Sequence, residues 1–200
     1  MPKVTFFNLP DDKKQSLINA AKKEFSRVPL FEASIANIVK EAGIPRGSFY
    51  QYFEDKEDAF FFLLNELTEE NKKYFVFTLE KHKGDLFEAM LEFFAIIINE
   101  EENFQFLRNT FLNMTHKIES TFAKSFGDRE ITLNDIGLFI NTSNLNISKE
   151  AELFHVMKII TSVTIRNVVD KFALEIPYEE AMTHYTTEMN LLKNGLLKGE

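Results

Sequence analysis

Arg46, Ser48, Tyr50, Gln51 and Tyr52 crowd into the stretch R-G-S-F-Y-Q-Y, with Phe49 among them and Phe53 just after. On a helix Phe49 and Phe53 stand four apart and pack to one side. Arg46, Ser48, Gln51 and Tyr52 then project elsewhere, with Tyr50 near the boundary. A guanidinium can grip guanine through two bonds, worth about 1–3 kcal/mol of discrimination. Hydroxyls and amides on such a face suit base edges or phosphate oxygens. Gly47 costs a helix roughly 1 kcal/mol against Ala. That cost makes sense where the backbone must come very close to a base edge or a phosphate.

The preceding residues supply the support. Ile35, Ile38, Val39 and Ala42 recur at helical spacing, giving about two turns of amphipathic helix. Ser34 stands at its N-cap, where its side chain can accept a backbone N–H. Gly43 follows the last apolar position, where a left-handed residue closes helices, and Ile44 returns toward the core. Pro45 presets φ for a second helix from about Pro45 to Tyr52. Helix, tight glycine turn and helix make a helix-turn-helix unit, whose second member enters the DNA major groove. On spacing alone an ordinary hairpin inside an all-α bundle fits as well.

The literal residues separate these readings. The string S-I-x-x-I-V-x-x-A-G-I-P-R-G-S-F-Y-x-Y-F-x-x-K-E resembles the N-terminal signature of the TetR family of transcriptional repressors. The match covers about residues 10 to 60, with more than ten residue types at fixed spacing. It departs at Pro45, where Ser often caps the recognition helix, and at Val39, where Ala is usual. The resemblance implies DNA-binding roles for Ser34, Pro45, Arg46, Gly47, Ser48, Tyr50, Gln51, Tyr52 and Lys56. Arg46 and Ser48 would reach bases, with Gln51 a further reader. Ser34, Tyr50, Tyr52 and Lys56 would hold phosphates.

Composition sets wider bounds. Scarce strand signals, 7 Gly and 5 Pro in 200 residues, and near-continuous helical periodicity predict an all-α chain. Residues 1–55 read as a three-helix DNA-binding domain and 56–200 as a helical effector-binding and dimerisation domain, about nine helices together. No cysteine is present, so disulfides and thiolate metal sites are excluded. No signal-peptide pattern and no apolar run near 18 residues appear, so a soluble, cytoplasmic chain with no membrane partner is expected. The net charge of −8 opposes DNA binding until it is divided. Residues 1–56 hold nine Lys/Arg against seven Asp/Glu, a net of +2 that leaves −10 beyond. The charge that phosphate needs is local and weak.

Along the chain, residues 1–9 form an arm whose Phe6, Phe7 and Leu9 can pack on the first helix. Pro10, Asp11 and Asp12 open that helix, which runs to about Ser26 on a stripe of Leu17, Ala20, Ala21 and Phe25. A long helix runs from Lys56 to about Lys83 and Gly84 ends it. Asp85 to Glu88 reads as a capping box, and Phe87 to Ile98 is apolar nearly all round. One helix is expected over about 103–126. Residues 127–147 suggest short helical pieces and loops. Ser148, Glu150 and Glu152 cap a helix to about Phe172. Pro177 opens the last one, with Tyr178, Met182, Tyr185, Met189, Leu192 and Leu196 in a heptad-like stripe. That stripe could serve the chain's own core; the resemblance implies instead a homodimer through the last two helices.

No P-loop, GxGxxG, GxSxG or HExxH occurs, and His82, His116, His155 and His184 are scattered. Neither catalysis nor a cofactor is expected. The 22 phenylalanines are mostly core. The resemblance implies an effector cavity inside the C-terminal helices. The absence of Trp, with a wealth of Phe, Ile and Leu, points to a small apolar occupant such as a long-chain acyl compound or a lipophilic drug. Phe94, Ile97, Phe104, Leu107, Phe111 and Met114 are its candidate walls. The expected partner is double-stranded DNA carrying an inverted-repeat operator, released when the effector binds. The competing class is a helical small-molecule (lipid or acyl) binding protein with a vestigial DNA-binding module.

Overall fold

The computed structural model describes residues 1–99, 102–127, 136–149 and 151–196. It is all-helical in these residues, with ten α-helices and two 3-10 turns. The helices are α1 (Val4–Phe7), α2 (Asp11–Arg27), α3 (Ile35–Ala42), α4 (Arg46–Tyr52) and α5 (Lys56–Lys81), followed by α6 (Leu86–Ile98), α7 (Phe104–Leu112), α8 (His116–Gly127), α9 (Glu152–Ala173) and α10 (Tyr178–Leu196). The 3-10 turns are Ile136–Phe139 and Thr142–Asn144. Two compact units form: Met1–Leu67 with Glu101–Met114, and Thr68–Glu100 with Thr115–Glu200. Helix α5 runs unbroken through the sequence boundary between them.

In the first unit α2 buries the expected stripe of Leu17, Ala20, Ala21 and Phe25, and adds Glu24. Helix α3 packs on α2, and α7 lies against α2 as well. Rings carry the core between them: Phe25 meets Phe60 edge-on at 5.3 Å, and Phe60 meets Phe106 at 5.4 Å. Phe6 of the arm is buried against the rings of Phe53 and Phe62, each at 5.0 Å, while Phe7 stays exposed.

The single helix expected over 103–126 is two. Helix α7 ends at Leu112 and α8 begins at His116. Thr115 Oγ1 accepts the Ile118 N–H at 3.3 Å and so caps the new start. The apolar spacing runs on through the break, which is why periodicity alone misses it.

In the second unit α6 buries Leu86, Phe87, Ala89, Met90, Phe93, Phe94 and Ile98 and packs on α9 and α10. Asp85 caps α6 as expected, accepting the Phe87 and Glu88 N–H groups, each at 3.0 Å. Gly84 adopts φ +81, and a Cβ there would fall 2.6 Å from the Asn141 nitrogen. Only glycine lets the segment 139–141 approach so closely. The Glu92 carboxylate takes Lys81 and His82, each at 2.6 Å, and the Lys81 bond chiefly holds it below the usual range. Helix α9 starts at Glu152, whose own carboxylate accepts from Ser148 and Lys149; Glu150 lies outside the described residues.

The heptad-like stripe of α10 divides. Tyr185 and Met189 are buried within the unit, Met182 and Leu192 are half-buried, and Tyr178 is exposed; the Leu196 side chain lies outside the described residues. Tyr185 stacks on Phe94 with centroids 4.0 Å apart, and its hydroxyl shares a 2.8 Å bond with Thr164 Oγ1. Burial pushes its phenol well above the usual range. The middle of this stripe therefore serves the chain's own core.

Candidate nucleic-acid interface

The candidate site is the outer face of α4, and the turn before it sets its direction. Gly43 takes φ +66 as expected, and the Ile44 N–H reaches back to the Val39 carbonyl at 3.0 Å. That backward bond is the signature of a glycine-closed helix end. Pro45 then serves as the N-cap of α4 rather than its first residue, so the helix begins at Arg46. Ser34 does occupy the N-cap of α3, but its side chain makes no cap bond. Its N–H instead donates to Glu24 Oε1 at 2.9 Å.

Phe49 and Phe53 are buried, and their rings lie 5.5 Å apart. Pro45, Arg46, Gly47, Tyr50 and Gln51 are exposed, and Ser48, Tyr52, Ser34 and Lys56 are half-buried. A Cβ on Gly47 would meet no protein atom within 4 Å, so the glycine answers no internal crowding. Open space there matches a face kept low for something outside the chain.

Cations sort themselves on the same unit. Lys22 pairs with Glu102, Lys23 with Glu41, Lys14 with Asp11 and Arg27 with Glu24. Lys3 donates to the Tyr50 carbonyl. Of the nine basic residues before position 57, Lys13, Lys40 and Arg46 hold no such partner among the described residues. An unpaired guanidinium on the exposed face of α4 is free to take a base edge or a phosphate. Lys56 is otherwise engaged: its ammonium donates to the Phe31 and Ala33 carbonyls at 2.7 and 3.0 Å. An ammonium has three N–H donors, which leaves one for a phosphate. Its main contact is with the loop leading into α3.

Two further side chains support the site, and the sequence reading missed both. Glu24, 5% exposed, takes Arg27 through two bonds and also binds the Ser34 N–H and the Asn37 amide. The Arg27 bonds hold its carboxyl below the usual range, against the opposing pull of burial. This one side chain ties the end of α2 to the start of α3. The second is Asn109 of α7, whose amide donates to the Phe25 and Ser26 carbonyls at 3.0 and 2.9 Å. An i-to-i+3 Glu–Arg pair was the available signal for the first; nothing local marks the second.

The six candidate effector-wall residues fall into two groups. Phe94 and Ile97 stand on α6 in the second unit, Phe94 fully buried against Tyr185 and Ile97 half-buried. Leu107 and Phe111 on α7 are buried in the first unit, with Phe104 and Met114 half-buried beside them in sequence. Among the described residues no three His, Asp or Glu side chains are grouped to hold a metal ion.

Comparison with known proteins supplies the family. The family of bacterial regulatory proteins of the tetR type matches residues 17–61, and the tetracyclin repressor-like C-terminal domain matches residues 85–196. Over 61 residues the chain is 38% identical to the HTH-type transcriptional regulator HbdR of Aromatoleum sp. strain CIB, covering 30% of this chain and 27% of that one. The chain thus matches little more than a quarter of that relative. In fold it is similar to a TetR-family regulator from Rhodococcus sp., with TM-score 0.67, 14% identity, and 92% and 100% of the two chains covered. It is also similar to one from Chloroflexus aurantiacus J-10-fl, with TM-score 0.53, 22% identity and both chains fully covered. With both halves matched and the second match alone spanning more than half of its length, this chain belongs to the TetR family of transcriptional regulators.

Proposed function

We propose that the chain is a repressor that binds an inverted-repeat operator as a homodimer and lets go when a small apolar molecule binds. The observation that carries this reading is α4 itself: Phe49 and Phe53 are turned inward, while Arg46, Tyr50 and Gln51 are exposed and Arg46 has no partner among the described residues. Arg46 and Ser48 read base edges, with Gln51 beside them. Ser34, Pro45, Gly47, Tyr50 and Tyr52 lie along the phosphates and set register. Lys56 contributes one remaining N–H and chiefly fixes the loop ahead of Ser34.

Dimerisation runs through α9 and α10, where Ile159 and Leu191 leave apolar side chains 45% and 69% exposed. A two-fold dimer presents two α4 helices to adjacent major grooves, about 34 Å apart. The effector acts by binding one dimer state better than the other, and α5 is the continuous rod that carries the change. The protein works in the cytoplasm; no described helix is long and apolar enough to cross a membrane. Its role is recognition without catalysis.

Selection from a randomised duplex pool tests the reading, followed by salt titration of the enriched sequence. An inverted repeat with affinity falling steeply in salt is expected, because each phosphate contact releases counterions. A pool that yields no preferred sequence, or binding indifferent to salt, would overturn it.

A further inference from the structure

Helix α4 has seven residues, fewer than two turns, and helices this short do not hold themselves in water. The last four carbonyls of any helix lack intrahelical partners unless something supplies them. Here those carbonyls belong to Phe49, Tyr50, Gln51 and Tyr52. The Phe49 carbonyl takes the Phe53 N–H at 2.9 Å. The other three are taken from the arm. Lys3 Nζ donates to the Tyr50 carbonyl at 2.7 Å, Thr5 Oγ1 donates to that of Gln51, and the Lys3 N–H donates to that of Tyr52 at 2.8 Å.

Phe6 anchors the arm, 0% exposed between Phe53 and Phe62. The Lys3 charge also sits at the negative end of the α4 dipole. At the opposite end Pro45 makes no side-chain cap bond. The start of α4 is thus left open, while its far end is closed by residues about 47 positions away.

We infer that residues 3–6 are a positioning element of the recognition helix, closing its carbonyl end and so fixing the pitch at which Arg46 and Ser48 meet base edges. This rests on the DNA-binding reading above. Arm and helix form one rigid reading head, and the arm contributes to specificity without touching a base.

The test uses the full chain with Lys3→Met and Thr5→Val together, and with Thr5→Val alone, which alters no charge. Each is titrated with the duplex the wild type enriches and with a scrambled duplex of equal length, across a salt series. Amide hydrogen exchange is followed at Phe53 and in α2, together with the thermal midpoint. Discrimination between the duplexes should fall about tenfold in the double variant, the scale of one base contact, and in the same direction for Thr5→Val. Exchange at Phe53 should quicken while α2 and the midpoint hold.

Unchanged discrimination would overturn the inference. So would equal loss on both duplexes with a shallower salt slope, which makes Lys3 a plain phosphate contact, or a loss matched by a lower midpoint and faster exchange in α2. A wild type that enriches no duplex at all would instead sink the DNA-binding reading, and the inference with it.

Discussion

Helix α4 is seven residues long and α9 twenty-two, and they are held by different means. Helix α9 buries nine side chains, Leu153, Val156, Met157, Ile160 and Phe172 among them, and makes two side-chain links to α10 among the described residues. Those are Thr164 to Tyr185 at 2.8 Å and Asn167 to Glu188 at 2.6 Å. Helix α4 buries one residue, Phe49. Its carbonyl end is set by Lys3 and Thr5, while Glu24 and Lys56 fix the segment around Ser34 at the start of the preceding helix. A helix that exposes most of its surface has little face to be held by, and α4 is held instead at its carbonyl end. The long helices have no such constraint and are held by area.

Substitutions probe the two kinds of support separately. The largest effect is expected from Phe49→Ala, which empties the one buried anchor of α4 at about 3–5 kcal/mol. Denaturant unfolding should show that loss together with loss of binding to the enriched duplex. Gly84→Ala comes next, because it puts a Cβ 2.6 Å from the Asn141 nitrogen at a left-handed φ. A cost of about 2 kcal/mol or more is expected, read as a lower midpoint with hydrogen exchange in α4 unchanged.

Glu24→Gln should cost about 2 kcal/mol at neutral pH, the range for hydrogen bonds to a charged group. Its carboxyl titrates lower folded than unfolded. Its stabilisation is therefore complete above the ordinary glutamate range and fades as pH falls through the folded-state value. The gap between wild type and variant should close in acid; a gap independent of pH would remove the carboxylate from its role. Tyr185→Phe should cost least, about 1 kcal/mol, since Thr164 keeps its bond to the Ile160 carbonyl.

The same contrast explains what could be read from the chain alone. The Gly43 turn, the Asp85 cap and the inward pair Phe49 and Phe53 were legible because each depends on neighbours within one or two helical turns. The outward face of α4 followed from that pair. The polar supports were not legible, since Glu24 reaches Ser34 across 10 positions, Lys3 reaches Tyr50 across 47 and Asn109 reaches Phe25 across 84. No periodicity encodes such pairings. Lys56 is instructive: the family resemblance assigned it to phosphate, yet most of its donors serve two carbonyls of its own chain. The stripe of α10 carried two readings, and only the packing of Tyr185 against Phe94 decided where its centre goes.

Whether α4 reads base pairs through its exposed face, as proposed, is decided by Arg46→Ala. Binding of wild type and variant would be titrated against duplexes changed one base pair at a time across each half-site. Discrimination should vanish at one position per half-site, by about 1–3 kcal/mol, and persist at the others. Equal weakening at every position would make Arg46 a phosphate contact and remove it from base reading.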